Sequence, residues 1–242
     1  MKNSNMKRKM NTYAQSLAQD NRGAAIVTVI VVSAFITIIA TTLLYITGKN
    51  YIAKQTDYQN KVSFYQAEEV LDKFKAYLTE DVDDAFAYAY ADTMANYVDH
   101  AGAANVDSYY AEAYTNRLYK IWTDRMNAQT EDTDSKLTKA VRAFLTDRLV
   151  SSGMTAEEAA KMAACIRSVD DIQVPPAKDK FILVGVRAAY EPEDGYSTYV
   201  YTDIGLELPN LYVAGMTNTA DAGTELDITE CVKYMNWRRY DD

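Results

Sequence analysis

The sequence predicts an α+β protein with a long N-terminal membrane or stem helix, a helical insertion and a C-terminal antiparallel β-sheet. Residues 23–48 are apolar, the middle of the chain has apolar residues at helical spacing, and the residues after Pro175-Pro176 read as strands joined by a turn. These changes of character divide the chain into a basic leader, a membrane part of the stem, an outer part of the stem, a helical insertion and a β-rich region. The expected boundaries are 1–23, 24–48, 49–81, 82–172 and 173–242.

The apolar segment is long enough to cross a membrane. No charged side chain lies between Arg22 and Lys49. A helix of this segment is about 39 Å long at ~1.5 Å per residue, against about 30 Å for a hydrocarbon core. A cleaved secretory signal has a shorter apolar core of roughly 7–15 residues, with its small-residue cleavage site after that core. Here the small residues come first, so we expect the helix to be retained.

The charges on either side of the apolar segment are asymmetric. Residues 1–22 carry a net charge of +4 and the rest of the chain −13, which together give the total of −9. Cytoplasmic flanks of membrane helices are enriched in Lys and Arg. The pattern predicts a single-pass protein with a cytoplasmic N-terminus and most of the chain outside. The acidic external part also predicts that nucleic acid is not a partner.

The junction between leader and apolar segment carries a processing signal. Residues 21–30 read Asn-Arg-Gly-Ala-Ala-Ile-Val-Thr-Val-Ile. This sequence resembles the cleavage site of type IV pilin precursors, which a prepilin peptidase cuts after the glycine. The resemblance implies cleavage between Gly23 and Ala24, with the apolar helix kept as an assembly stem. A residue without a Cβ suits a peptidase at this point because its backbone is pliable.

Two residues depart from the usual pilin pattern. The mature chain would begin with Ala24, where pilins usually have an aromatic residue, and Thr28 takes the fifth mature position, where they usually have glutamate. In lacking this glutamate the chain is similar to the PilX and type II secretion K class of minor pilins, which lie at or near a filament tip. Threonine supplies no charge for a neighbouring N-terminus, but its hydroxyl can bond back to a helix carbonyl.

A second stretch resembles the same class. Tyr65-Gln66-Ala67-Glu68 is similar to the tyrosine-x-alanine-glutamate sequence that these minor pilins place just after the membrane helix. The apolar residues around it recur at helical spacing, so we expect one continuous helix from Lys49 to Leu78. Taken alone, the stretch also fits an ordinary amphipathic helix.

The insertion is expected to be helical. The alternation of alanine and tyrosine from Ala85 to Ala91 also fits a strand, but the alanine content favours a helix. Further helices are predicted at Ser108–Asn127 and Ser135–Val150, and Thr155-Ala156-Glu157-Glu158 is a capping box that opens a fourth. The acidic run Glu80–Asp84 is interpreted as a solvated helix end.

The C-terminal region is predicted to form an antiparallel sheet. Lys180–Tyr190 and Tyr196–Leu206 read as strands, and the Asp-Gly signal in Glu191–Gly195 joins them as a hairpin. Residues 211–213 and 226–228 are expected to add short strands. A long N-terminal helix packed on such a sheet is the pilin-like architecture that the resemblance implies.

We expect no catalytic site, no cofactor and no metal. His100, the single histidine, is interpreted as a solvated loop residue. The sequence contains no phosphate loop, dinucleotide-binding glycine pattern or metal-spaced set of cysteines. The acidic loop 221–227 could offer oxygens to calcium, but its spacing departs from the helix–loop–helix calcium motif. A solvated loop is the preferred interpretation.

Cys165 and Cys231 are the two cysteines, and both fall in the region expected outside the cytoplasm. A disulfide between them would close a long loop and stabilise the fold by about 3–4 kcal/mol in the chain-entropy model. Two reduced thiols are the alternative, because the sequence gives neither the Cα distance nor the redox setting.

The expected function is assembly. The resemblance implies a minor pilin or pseudopilin subunit at or near the tip of a type IV pilus-like or secretion filament, with prepilin peptidase, other pilin subunits and the cytoplasmic membrane as partners. Ile38, Ile39, Leu43 and Leu44 are expected to pack between subunits. The alternative is a signal-anchored surface protein with an interaction or adhesion role. An anchored enzyme has no sequence support, and Thr28 argues against a major subunit.

Overall fold

The longest element of the fold is the N-terminal helix α1, which spans Asn3–Ala95. A computed structural model describes residues 3–99, 103–130, 134–190, 198–209 and 228–241. The chain divides into two units, residues 1–56 and residues 57–242. The protein is α+β: α1 carries the apolar N-terminal segment, and the second unit contains an antiparallel sheet. No proline interrupts α1, so nothing in its sequence breaks the hydrogen-bond ladder.

In the second unit α1 continues through the acidic run and the alanine–tyrosine stretch. The prediction of helix for residues 85–91 is confirmed. One face of this part of α1 is buried, and its residues recur every three or four positions, which is the spacing of a core-facing helix stripe. The buried residues are Ala67, Val70, Leu71, Phe74, Leu78, Val82, Ala85 and Ala89. The helix therefore supplies one wall of the core of this unit.

Three shorter helices follow where the sequence predicts them: α2 (Ala103–Asn127), α3 (Lys136–Ser151) and α4 (Ala156–Ala163). The Ser135 hydroxyl caps α3 by accepting from the backbone N–H of Thr138 at 3.1 Å. The predicted capping box between Thr155 and Glu158 is present at the start of α4. Hydrogen bonds from Thr155 lower the pKa of Glu158. Local side chains thus determine where both helices begin.

Three aromatic rings hold α1, α2 and α3 together. Phe74, Trp122 and Phe144 pack edge to face, with centroid separations of 5.7–6.4 Å. Such pairs contribute about 0.5–1.5 kcal/mol each beyond the area they bury. This triad is the centre of the helical part of the second unit.

The sheet has five strands: β1 (Ile166–Ser168), β2 (Asp171–Gln173), β3 (Lys180–Tyr190), β4 (Thr198–Glu207) and β5 (Val232–Asp241). Their order is β1–β3–β4–β5, with β2 also paired to β3, and every pairing is antiparallel. The predicted pairing of β3 with β4 is confirmed. The turn at 191–195 and the strands expected at 211–213 and 226–227 lie outside the described residues, and Ile228 begins a 3₁₀ helix.

The sequence analysis missed β1, β2 and β5, and β1 lies within residues 82–172, which were expected to be helical. The longest of the three is β5. Its residues do not alternate regularly because Asn236 has a φ of 56° and the pairing with β4 shifts register between Tyr201 and Asp203. The Asn236 amide donates to the Asp203 carboxylate at 2.7 Å, and the other Asp203 oxygen accepts from the Gly185 N–H at 2.8 Å. A bulge of this kind hides a strand from a search for period-two patterns.

Ser63 joins α1 to the β3–β4 pair. It is fully buried, and its hydroxyl donates to the Tyr190 carbonyl at 2.5 Å and accepts from the Thr198 N–H at 3.1 Å. The Thr198 hydroxyl in turn donates to the Asn60 carbonyl at 3.3 Å. Because these backbone groups flank the connection between the strands, Ser63 positions that end of the sheet on the helix.

Replacement of Ser63 by alanine should destabilise the second unit by about 1–3 kcal/mol, because a buried N–H and a buried carbonyl lose their partner. Chemical unfolding of the full chain in detergent micelles measures the change. Ser151→Ala is the matched control, since Ser151 is exposed and its hydroxyl donates only to a helix carbonyl, that of Asp147. Equal unfolding free energies for the two variants would show that Ser63 is not a structural link.

The interpretation of the acidic run as a solvated helix end is wrong for Asp81, which is 3% exposed. Arg125 donates to both oxygens of the Asp81 carboxylate, at 2.5 and 2.8 Å. Its guanidinium also lies over Phe144 at 4.1 Å from the ring centroid. Two neighbouring acids make more exposed pairs: Glu80 with Arg148 and Asp84 with Arg117. Arginines on α2 and α3 thus pair with three of the four acids of the run, which reduces the charge repulsion within this part of α1.

Candidate membrane-spanning segment and processing site

The apolar segment of α1 is solvent-exposed throughout the first unit. By length and composition it is the one helix among the described residues that could cross a membrane, and its most apolar window has no buried residue. Burying one Val, Leu, Ile or Phe side chain is worth about 1.5–3 kcal/mol. The exposed side chains are Ile26, Val27, Val29, Ile30, Val31, Val32, Phe35, Ile36, Ile38, Ile39, Leu43, Leu44, Tyr45 and Ile46. The free-energy cost of exposing all of these side chains to water is large, and it indicates an apolar environment for this segment.

Five hydroxyl groups of the segment bond to carbonyls of the same helix. Thr28 donates to the carbonyl of Ala24 at 2.9 Å, as predicted for a threonine in place of the usual glutamate. The other hydroxyls that bond back to carbonyls of the preceding turn are those of Ser33, Thr37, Thr41 and Thr42. In hydrocarbon a polar group must find its partner internally. These residues are therefore compatible with a membrane.

Gly23 and Ala24, the predicted processing residues, both lie inside α1 and are exposed. A Cβ placed on Gly23 would meet no atom within 4 Å. Packing within the chain therefore gives no reason for glycine at this position, and glycine costs a helix interior about 1 kcal/mol relative to alanine.

Tyrosine and lysine side chains mark the other end of the segment, a feature that the sequence analysis missed. The Lys49 ammonium lies 5.7 Å from the centroid of the Tyr45 ring, and Tyr51, two residues after Lys49, is exposed. Tyrosines are enriched where membranes meet water, and lysines extend their ammonium groups toward the aqueous side. The interface signal was present in the sequence as Tyr45-x₃-Lys49-x-Tyr51.

Both cysteines are reduced thiols in the structure. Cys165 is buried and its thiol donates to the Lys161 carbonyl at 3.6 Å, whereas Cys231 is half-buried at the end of the 3₁₀ helix. The Tyr110 and Tyr114 phenols lie near Cys231, and burial raises the pKa of both. The disulfide remains a prediction for an oxidising setting.

His100 and the acidic loop 221–227 lie outside the described residues. Among the residues that are described, no group of three or more His, Cys, Asp or Glu side chains could hold a metal ion. The described part of the chain thus adds no candidate for metal chemistry.

The class that the fold defines is an α+β protein whose N-terminal helix exposes a membrane-length apolar segment. Comparisons of the chain with models of protein families, with curated proteins and with solved structures found no match.

Proposed function

We propose that the protein is a minor pilin or pseudopilin subunit that is made as a membrane precursor, cut after Gly23 and assembled at or near the tip of a type IV pilus-like or secretion filament. The observation that carries the proposal is that α1 combines two features. An exposed apolar segment directly follows the Arg22-Gly23-Ala24 junction, and the same helix later forms a wall of an α+β core with an antiparallel sheet. This is the layout expected of a pilin-like subunit.

Thr28 supports a position at or near the tip. Its hydroxyl is engaged with the Ala24 carbonyl and carries no charge. A subunit in the filament body would need a buried carboxylate to pair with its neighbour's N-terminus, whereas a subunit with no neighbour on one side would not. The partners that this role requires are prepilin peptidase, other pilin subunits and the cytoplasmic membrane. Catalysis has no part in it.

Cleavage is the test of the proposal. Intact mass and N-terminal sequencing of the protein from its own cells should show a mature chain that begins at Ala24. Gly23→Ala should remain at precursor length, because a peptidase that needs the pliable glycine would no longer cut. The added methyl group meets no atom within 4 Å, so the variant should fold normally.

The matched control is Gly48→Ala, which places the same methyl group on the same helix, also with no atom within 4 Å. This variant should be cut like the wild-type protein. A chain that starts at Met1 in the wild type would exclude peptidase processing. The function would then be that of a signal-anchored surface protein with an interaction or adhesion role, which the exposed apolar segment supports equally well.

A further inference from the structure

The last turns of α1 have a second apolar face opposite the one in the core. Ala85, Ala89 and Thr93 are buried, whereas Tyr88 and Met94 on the other side are 48% and 51% exposed. A helix that is apolar on both sides is normally covered on both sides. Five exposed residues, Ala87, Tyr88, Ala91, Met94 and Ala95, are separated by one, three or four positions and therefore share one side of the helix. Together with Val98, which follows in the turn after α1, they are called the Tyr88–Val98 face.

The shape of the Tyr88–Val98 face suits a helix. Ala87, Ala91 and Ala95 are four residues apart and form a low row, with Tyr88 on one side of the row and Met94 on the other. Val98, in the turn that follows α1, is 85% exposed and extends the apolar surface. A row of small residues between larger ones is a groove into which the ridge of another helix can pack.

The border of this face is acidic. Asp83, Asp84 and Asp92 border it by their helical positions, and Asp99 lies in the turn after α1. Asp92 is held in place by the Tyr109 hydroxyl, which donates to it at 2.6 Å. Arg117 donates to Asp84 at 2.9 Å and lies over the Tyr88 ring, which offsets one of the four negative charges.

We propose that the Tyr88–Val98 face binds an amphipathic helix of a partner protein whose apolar stripe is flanked by lysine or arginine. Charge complementarity selects this occupant, because basic flanks meet Asp83, Asp92 and Asp99 while the apolar stripe covers the alanine row. A second copy of this chain is a poorer fit, since symmetric contact would bring two acidic borders together. The inference concerns the second unit alone and does not depend on cleavage at Gly23.

The test uses the full chain in phosphatidylcholine nanodiscs and two fluorescent helical peptides of 18 residues. One has a leucine stripe with lysine flanks, and the other has the same stripe with glutamate flanks. Fluorescence anisotropy, with empty nanodiscs as background, should show binding of the lysine peptide only. Ala91→Gln/Met94→Gln should weaken this binding at least tenfold. Both residues are exposed, so the variant should fold normally.

The control variant Val150→Gln/Val174→Gln changes two exposed valines elsewhere and should bind like the wild type. Asp83→Asn/Asp99→Asn should weaken binding and reduce its dependence on salt. Binding of both peptides alike, or binding that Ala91→Gln/Met94→Gln leaves unchanged, would overturn the proposal. Concentration-dependent dimers that only Ala91→Gln/Met94→Gln abolishes would also overturn it and assign the face to a second copy.

Discussion

Replacement of Arg125 by alanine is expected to destabilise the second unit by about 3 kcal/mol. The Asp81 carboxylate that it leaves behind is 3% exposed and loses both of its hydrogen-bond donors. Breaking a buried pair by removing one partner costs about 3–5 kcal/mol. We take the lower value because the Arg125 side chain is 24% exposed. For a unit of this size, thermal unfolding should then shift down by roughly 6–12 °C.

Two comparisons distinguish the cost of leaving the buried Asp81 carboxylate unpaired from the general cost of removing an arginine side chain. Arg117→Ala removes an arginine from the more exposed pair with Asp84 and should cost less than about 1 kcal/mol. Asp81→Leu combined with Arg125→Met removes both charges and should cost less than Arg125→Ala alone. Asp81→Leu and Arg125→Met are also measured singly. If the loss of unfolding free energy in the double variant equals the sum of the losses in these two single variants, the two charges act independently, contrary to the contact in the structure.

Replacement of Gly185 by alanine is also expected to lower the free energy of unfolding by about 3 kcal/mol, here because of backbone conformation and a steric clash. Gly185 has a φ of 71°, and a Cβ there would lie 2.2 Å from Oδ2 and 2.8 Å from Cβ of Asp170. The left-handed conformation costs a side-chain-bearing residue about 1–2 kcal/mol, and overpacking adds about 1–3 kcal/mol. Asp170 cannot easily withdraw, because its N–H donates to the Val184 carbonyl at 2.9 Å.

Gly153→Ala is the matched control for Gly185→Ala. Gly153 also has a positive φ, 102°, but a Cβ on it would meet no atom within 4 Å, so this variant measures backbone strain without a clash. It should cost only about 1–2 kcal/mol. Asp170→Gly in the Gly185→Ala background should recover part of the loss. Equal costs for the two glycine variants would show that Asp170 yields without strain.

Local chemistry accounts for the features that the sequence analysis predicted correctly. The apolar run of α1 needs no partner to be recognised, since its length and lack of charge are properties of consecutive residues. The Thr155–Glu158 capping box and the apolar run of β3 involve residues only a few positions apart. The back-bonding of Thr28 to Ala24 was likewise predictable because it occurs within one helical turn.

Features that depend on distant partners could not be predicted in the same way. Ser63 bonds to a carbonyl 127 residues away, and nothing near it in sequence marks it as buried. The run Glu80–Asp84 has the composition of a solvated helix end, and Asp81 becomes a core residue only because Arg125, 44 positions later, reaches it. The strand β5 contains the Asn236 bulge, so only its pairing with β4 reveals it.

The candidate functional features divide along the same line. Gly23, Ala24, Thr28 and the apolar segment follow from neighbouring residues, because processing and membrane insertion act on a continuous stretch of chain. The Tyr88–Val98 face required the tertiary structure. Alanine and aromatic residues occur on both sides of this part of α1, and only the burial of Ala85 and Ala89 against the core shows which side remains for a partner.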